Sequence, residues 1–237
     1  MCVAAIAWLA HPRWRLVAIG NRDELHSRLT SSLAGWDNGV IAGRDLEAGG
    51  TWLGVHPAGR FALVTNYRAE GYPRPEFASR GGLVTGWLEH EALGDTGRMN
   101  PFNLFAANRL GAAIHTNYPK PQRYDLERGI HGLSNGAFGE PWPKTRLLEA
   151  ALSGWLEAGE DDPAPLFAAL ADRRLNPMLA LSGPTPEFSG VFIANPLYGT
   201  RASTVVMVDA DGRGRIIERG FGADGLGIGE KSITFDW

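Results

Sequence analysis

The chain has 237 residues, enough for one large domain, and its 44% hydrophobic and 21% charged content is that of a soluble globular protein. A formal charge of -3, with Lys and Arg scattered along the chain, excludes the basic surface that nucleic acid or an anionic membrane would require. A single cysteine excludes an intramolecular disulfide and a thiolate zinc site, and no apolar run approaches the ~20 residues of a transmembrane helix.

Residues 3–10 and 14–20 are nearly continuously apolar on either side of His11-Pro12-Arg13. They predict two strands joined by a turn and buried on both faces. The second strand delivers a polar tetrad, Asn21-Arg22-Asp23-Glu24, beside the chain start. Residues 25–38, a cluster of Ser, Thr, Gly and Asn, read as irregular. Residues 40–43, 50–55 and 60–66 predict a meander of short antiparallel strands with a turn at Pro57-Ala58-Gly59. Residues 67–77 read as a Gly/Pro loop, and residues 81–90 as a helix with Leu83, Trp87 and Leu88 on one side. Pro101 at a first helical position predicts a helix over 101–109. Strands are expected at 112–116, 124–126 and 130–135. Residues 142–158 carry the clearest helical period, in Leu147, Leu148, Ala151, Leu152 and Trp155. A further helix at 166–171 follows Pro163-Ala164-Pro165, and strands at 201–208, 215–219 and 232–236 close the chain.

Strands first, helices in the middle and strands last define an α+β protein, with helices covering the sheets from their outer sides. No repeat or linker divides it, so a single domain over 1–237 is expected. The six histidines form neither HxxxH nor HExxH, and the Gly-rich stretch 222–229 lacks a P-loop Lys-Ser/Thr, so neither a metal site nor a nucleotide or other cofactor is expected. The apolar start has no preceding positive charge, unlike a signal peptide, which leads to the expectation of a cytoplasmic protein.

Two features carry chemistry. If Met1 is removed, Cys2 holds a thiol and an α-amine on one residue. An α-amine titrates near ~7.7–8.0, so a useful fraction is neutral and able to accept the proton of its own thiol. Asparagines at strand ends, Asn66 and Asn135, supply N–H donors of the kind that stabilise a developing oxyanion, each typically worth ~2.7–4 kcal/mol of barrier. Arg201, before an apolar strand, supplies a positive charge suited to activating a thiol. Tyr67 and Arg68, following Asn66, and His131 are candidate substrate contacts.

The chain resembles the NRDE-motif family, whose animal members are transport and Golgi organisation proteins. The resemblance rests on Met1-Cys2, His11-Pro12, Asn21-Arg22-Asp23-Glu24, Ala42-Gly43-Arg44-Asp45-Leu46, Gly49-Gly50-Thr51-Trp52-Leu53-Gly54, Thr65-Asn66-Tyr67-Arg68, His131-Gly132-Leu133-Ser134-Asn135-Gly136, Trp142-Pro143-Lys144 and Tyr198-Gly199-Thr200-Arg201. More distantly, the order of these residues is similar to that in cysteine N-terminal nucleophile hydrolases of the penicillin V acylase and choloylglycine hydrolase type. That similarity implies a four-layer αββα sandwich. It implies Cys2 as nucleophile, Asn66 and Asn135 as the two asparagines, and Arg201 as the late arginine. Those hydrolases space an Arg and an Asp three apart. Here Arg22 and Asp23 are adjacent, while Asn21 and Glu24 keep the spacing with different chemistry; Arg22 and Asp23 are taken as the counterparts. The resemblance thus implies an amidohydrolase cleaving a C–N amide bond through an acyl-enzyme. The alternative it implies is a non-enzymatic protein that binds and moves haem or lipid and acyl-CoA species on the same scaffold.

Overall fold

The computed structural model describes residues 2–140, 142–174 and 190–237; Met1, whose removal the sequence leaves open, lies outside the described residues. The chain begins with an antiparallel pair, β1 (Cys2–Trp8) and β2 (Trp14–Leu25), which set Cys2 opposite Arg22 and Trp8 opposite Leu16. A meander follows: β3 (Thr30–Gly35), β4 (Ile41–Asp45), β5 (Leu53–His56) and β6 (Arg60–Asn66). Helix α1 (Gly81–His90) precedes β7 (Phe102–Ala107), β8 (Ala112–Thr116), β9 (Gln122–Asp125) and β10 (Gly129–Leu133). Helices α2 (Pro143–Glu157) and α3 (Ala164–Leu170) lead to the last strands, β11 (Tyr198–Asp209), β12 (Arg213–Phe221) and β13 (Gly227–Asp236).

These strands form two antiparallel sheets. One has the order β10-β1-β2-β11-β12-β13, the other β3-β4-β5-β6-β7-β8-β9. Strand alternation sorts their side chains into three apolar layers. Ile6, Leu16, Ala18 and Val206 meet Phe61, Leu63, Phe105 and Ile114 between the sheets. The outer face of the first sheet, through Val17, Ile19 and Val205, packs on Leu148, Leu152 and Trp155 of α2 and Phe167 of α3. The outer face of the second, through Val40, Ala62 and Leu104, packs on Leu83, Val84 and Leu88 of α1. The result is αββα, an α+β four-layer sandwich. Both faces of each sheet are covered, which is why β1 and most of β2 read as unbroken apolar runs.

Three sequence expectations need correction. Residues 101–109 do not form a helix but contain β7. All six of its residues are buried, with Phe102, Leu104 and Ala106 toward α1 and Phe105 and Ala107 toward the other sheet. A strand covered on both faces has no polar period to announce it, and Pro101 sits just outside its first rung, where no ladder donor is needed. Residues 25–38 are not wholly irregular: β3 lies there as a polar edge strand with only Leu33 buried. The tetrad, finally, does not lie beyond the second strand at residue 20 but within it, as β2 runs on to Leu25. In α2, Leu147 is exposed while Leu156 joins Leu148, Leu152 and Trp155 inside, so the buried stripe is rotated slightly from the one the sequence suggested.

Candidate active site

Because β2 continues through the tetrad, its four side chains divide between two faces. Arg22 and Glu24 share the parity of Leu16 and Ala18 and turn toward the inter-sheet side; Asn21 and Asp23 share that of Val17 and Ile19 and turn toward the helices. Cys2 has the parity of Ala4 and Ile6 and stands beside Arg22 on the inter-sheet face.

At this end of the inter-sheet layer the apolar packing gives way to a cleft of about 490 Å3. Cys2, Arg22 and Glu24 border it from the first sheet, and Asp45, Thr51, Trp52, Val64 and Asn66 from the second. The segment from Pro73 to Gly81 forms a third wall. That wall is tied down by a reciprocal pair, Arg74 N–H to Asn100 Oδ1 at 2.7 Å and Asn100 Nδ2 to the Arg74 carbonyl at 3.1 Å. It closes against the meander where Gly50 and Gly81 touch backbone to backbone; a Cβ on Gly50 would lie 2.5 Å from the Gly81 carbonyl carbon.

Arg22 is buried on the cleft border. Its Nη1 donates to Thr30 Oγ1 at 3.1 Å, its guanidinium lies 4.5 Å from the Trp52 ring centroid, and its Nη2 is 3.9 Å from Asp45 Oδ2. Burial pushes its pKa down, with Glu24, Cys2 and Asp45 opposing. Asp45 binds Arg28 more closely, at 2.8 Å, and its Oδ1 accepts from the N–H groups of Glu47 and Ala48. Arg80, also on the border, donates to the Pro101 carbonyl at 3.2 Å, and no carboxylate among the described residues comes within 4 Å of it. Burial lowers its pKa too, against the attraction of Cys2 and Glu24.

The helix-facing pair is held differently. Asn21 Nδ2 donates to the carbonyls of Leu170 and Val191, both at 2.9 Å, and its Oδ1 accepts from Ser203 Oγ at 2.6 Å. Its amide nitrogen joins β2 to the chain around α3, and its amide oxygen joins it to β11. Asp23 is buried, and its Oδ1 accepts from Thr200 Oγ1 at 2.7 Å. Burial raises its pKa to about 6, with Lys144, the Thr200 hydrogen bond and Arg22 pulling the other way.

Of the residues singled out from the sequence, Cys2, Arg22, Asp23 and Asn66 border one cleft. Asn135 does not; it is fully buried behind Asn66, donating from Nδ2 to the Asn66 carbonyl at 2.8 Å, while its own carbonyl accepts from the Arg68 N–H at 2.7 Å. Ser134 Oγ, 3.2 Å from the Cys2 carbonyl, ties the same corner to β1. Arg201 is also off the cleft border: its Nη1 donates to the carbonyls of Leu25, His26 and Arg28, clasping the loop after β2. The Tyr67 ring packs on Tyr118 at 5.1 Å, and His131, in the middle of β10 and half-buried, meets the Glu127 carbonyl through Nε2 at 3.0 Å; neither borders the cleft, nor does Arg68.

Sequence reasoning gave no role to Arg74, Arg80, Thr200 or Lys144. Lys144 is the least expected of them. It lies in the first turn of α2, is 1% exposed, and donates from Nζ to Asn135 Oδ1 at 3.3 Å. A cation right after a helix-opening proline stands at the positive end of the helix dipole, and that mismatch in Trp142-Pro143-Lys144 was the available signal. Among the described residues no group of three or more His, Cys, Asp or Glu is placed to hold a metal, and no helix is long and apolar enough to cross a membrane.

Comparison with known proteins places the chain among named relatives. The family model described as Transport and Golgi organisation 2 matches residues 1–223. The human "Transport and Golgi organization protein 2 homolog" is 31% identical over 241 residues, covering 87% of this chain and 86% of the relative. "Transport and Golgi organization protein 2" of Drosophila melanogaster is 29% identical over 260 residues, covering 92% and 91%. Among solved structures, the Caenorhabditis elegans ortholog of N-acylethanolamine-hydrolyzing acid amidase superposes with a TM-score of 0.51 at 13% identity, over 86% of this chain and 92% of that one. The shared feature is the fold, that of the N-terminal nucleophile hydrolases.

Proposed function

The chain belongs to the Transport and Golgi organisation 2 family, and we propose that it works as a cysteine amidohydrolase, cleaving a C–N amide bond at the cleft beside Cys2. The observation that carries this reading is the placement of the sole cysteine on the border of a charged cleft, in register with a buried arginine, in an N-terminal nucleophile fold. Removal of Met1 frees the Cys2 α-amine. The thiol passes its proton to that amine, and its sulfur attacks the amide carbonyl. The leaving amine takes the proton back as the C–N bond breaks, leaving a thioester that water hydrolyses. Asn66, on the border, donates to the oxyanion. Asn135 serves from behind, keeping the Asn66 end of β6 in place. Arg22 supplies positive charge beside the sulfur, Asp23 organises the amine side, and Arg201 fixes the loop that follows β2. Tyr67, Arg68 and His131 would contribute only through longer parts of a small-molecule substrate.

The test is a panel of N-acyl amides, N-acylethanolamines included, with the wild type and Cys2→Ser. Intact mass should show loss of Met1 and, on slow substrates, an acyl adduct on the wild type alone. Retained Met1 with no turnover on any amide, together with Cys2-independent binding of haem or acyl-CoA, would replace the enzyme by a binding protein.

A further inference from the structure

Lys144 breaks three rules at once. Its amine is buried, which is costly for a charge and pushes its pKa down, against the attraction of Asp23 and Cys2. It sits at the end of α2 where the helix dipole disfavours a cation. No carboxylate among the described residues is within 4 Å to offset either cost. Sequences retain such conflicts mainly where the group has work to do. The position is specific. Lys144 Nζ and Ser134 Oγ both reach Asn135 Oδ1, each at 3.3 Å, and so fix the Asn135 amide with Nδ2 on the Asn66 carbonyl. Ser134 Oγ is also bound to the Cys2 carbonyl. A single amide thus joins Lys144 to both strand ends that border the cleft. The charges facing Lys144 are Asp23 from β2, Cys2 from β1 and Arg68 from the chain after β6. Arg22 and Arg80 face Cys2 from the cleft side, and Glu24 faces both arginines.

We infer that Lys144 is a positioning residue for the nucleophile: from inside the fold it holds Asn135 onto the Asn66 strand end and supplies the buried positive charge that faces Asp23 and Cys2 together. This rests on the reading of Cys2 as the reacting group, but it is testable without a substrate. Cys2 is the only cysteine, so its alkylation by iodoacetamide, followed by intact mass, reports on that site alone.

Lys144→Met keeps the bulk and removes the charge, and Ser134 remains to hold Asn135. Lys144→Arg keeps the charge. Across pH 5 to 9, Lys144→Met should alkylate about tenfold more slowly near neutrality, with its rate profile displaced about one pH unit to the alkaline side, as loss of one close charge predicts. Lys144→Arg should stay within about threefold of wild type on the same grounds. The urea midpoint of Lys144→Met should not fall, because a buried charge has been exchanged for an apolar chain. An unchanged alkylation profile in a folded Lys144→Met would overturn the inference and leave Lys144 a packing residue. If Lys144→Met does not fold, wild-type protein labelled with 13C at lysine Cε decides. The Lys144 resonance, distinct from those of exposed Lys120 and Lys231, should move when Cys2 is alkylated and again as Asp23 titrates near pH 6. A Lys144 signal indifferent to both would sink the inference. Failure of every amide substrate, with these responses intact, would remove the enzymatic reading and leave the Lys144 coupling standing.

Discussion

The two faces of β2 at the tetrad make opposite uses of similar residues. On the cleft face, Arg22 and Glu24 are charged, and their surroundings are mostly other side chains: Trp52, Thr30, Asp45 and Arg28. On the helix face, Asn21 is locked by backbone carbonyls and Ser203, and Asp23 is bound by Thr200. One face meets open space and can exchange partners with a ligand. The other is buried against the helices, with only Asp23 also reaching the cleft border, and acts through fixed charge and position. Four consecutive polar residues therefore serve two layers, and the strand's period of two assigns them.

The largest expected difference between the faces is in reactivity. Cys2→Ala removes the group that borders the cleft and should lower amide turnover by roughly 10⁴-fold or more, as loss of a nucleophile does. The thermal midpoint should barely change. Turnover that survives Cys2→Ala would separate the cleft from the chemistry. The helix face should instead be exposed by pH. Asp23 has a folded pKa of about 6 against an ordinary 3.8, so the folded chain holds its proton longer than the unfolded chain. Its contribution is fully present below about pH 4 and is lost as pH rises through 6, by roughly 3 kcal/mol. Asp23→Asn should flatten that fall in urea unfolding curves taken between pH 4 and 7; an unaltered slope would mean the carboxylate is ionised throughout.

Arg22→Met tests the cleft face without touching the nucleophile. It removes the Thr30 hydrogen bond and the stack on Trp52 and should cost about 2 kcal/mol, read from the urea midpoint. It leaves Asp45 its shorter pair with Arg28. A loss as great as that of a core truncation would show that Arg22 is structural first. Glu24→Gln should be the mildest: its ion pair with Arg28 is 3.9 Å long and partly exposed, so the stability change should stay below about 0.5 kcal/mol. A larger loss would mean that the cleft-face charges act as one network.

Much of this was legible in the chain, and the failures have causes. α1 was read at its observed bounds, because Leu83, Val84 and Leu88 lie inside and Gly81 opens the turn. The paired strands around His11-Pro12 were legible from their apolar runs. The same rule concealed β7, whose fully buried run carries no period and was read through Pro101 as a helix. Cys2 and Asn66 could be placed by residue type at strand ends. The separate surroundings of Arg22 and Asp23 could not, because sequence gave no sign that β2 continues past Gly20. Lys144 was out of reach for a further reason: Asp23 is distant in the chain, and only the packing of α2 against β1 and β10 brings Lys144 to face both it and Asn135.

The irregularity in β11 has a consequence for how this chain can vary. Thr200 pairs with Asp23 and Ala202 with Arg22, so Arg201 is an extra residue that β2 does not match. Residues of even number before it face the helices, and those after it face the other sheet. Deleting Arg201 would leave Thr200 next to Ala202 in a regular strand, with its hydroxyl still toward Asp23, and would remove only the clasp on the loop after β2. The extra residue thus serves the Arg201 side chain and the loop it holds, while strand alternation alone keeps Thr200 on Asp23.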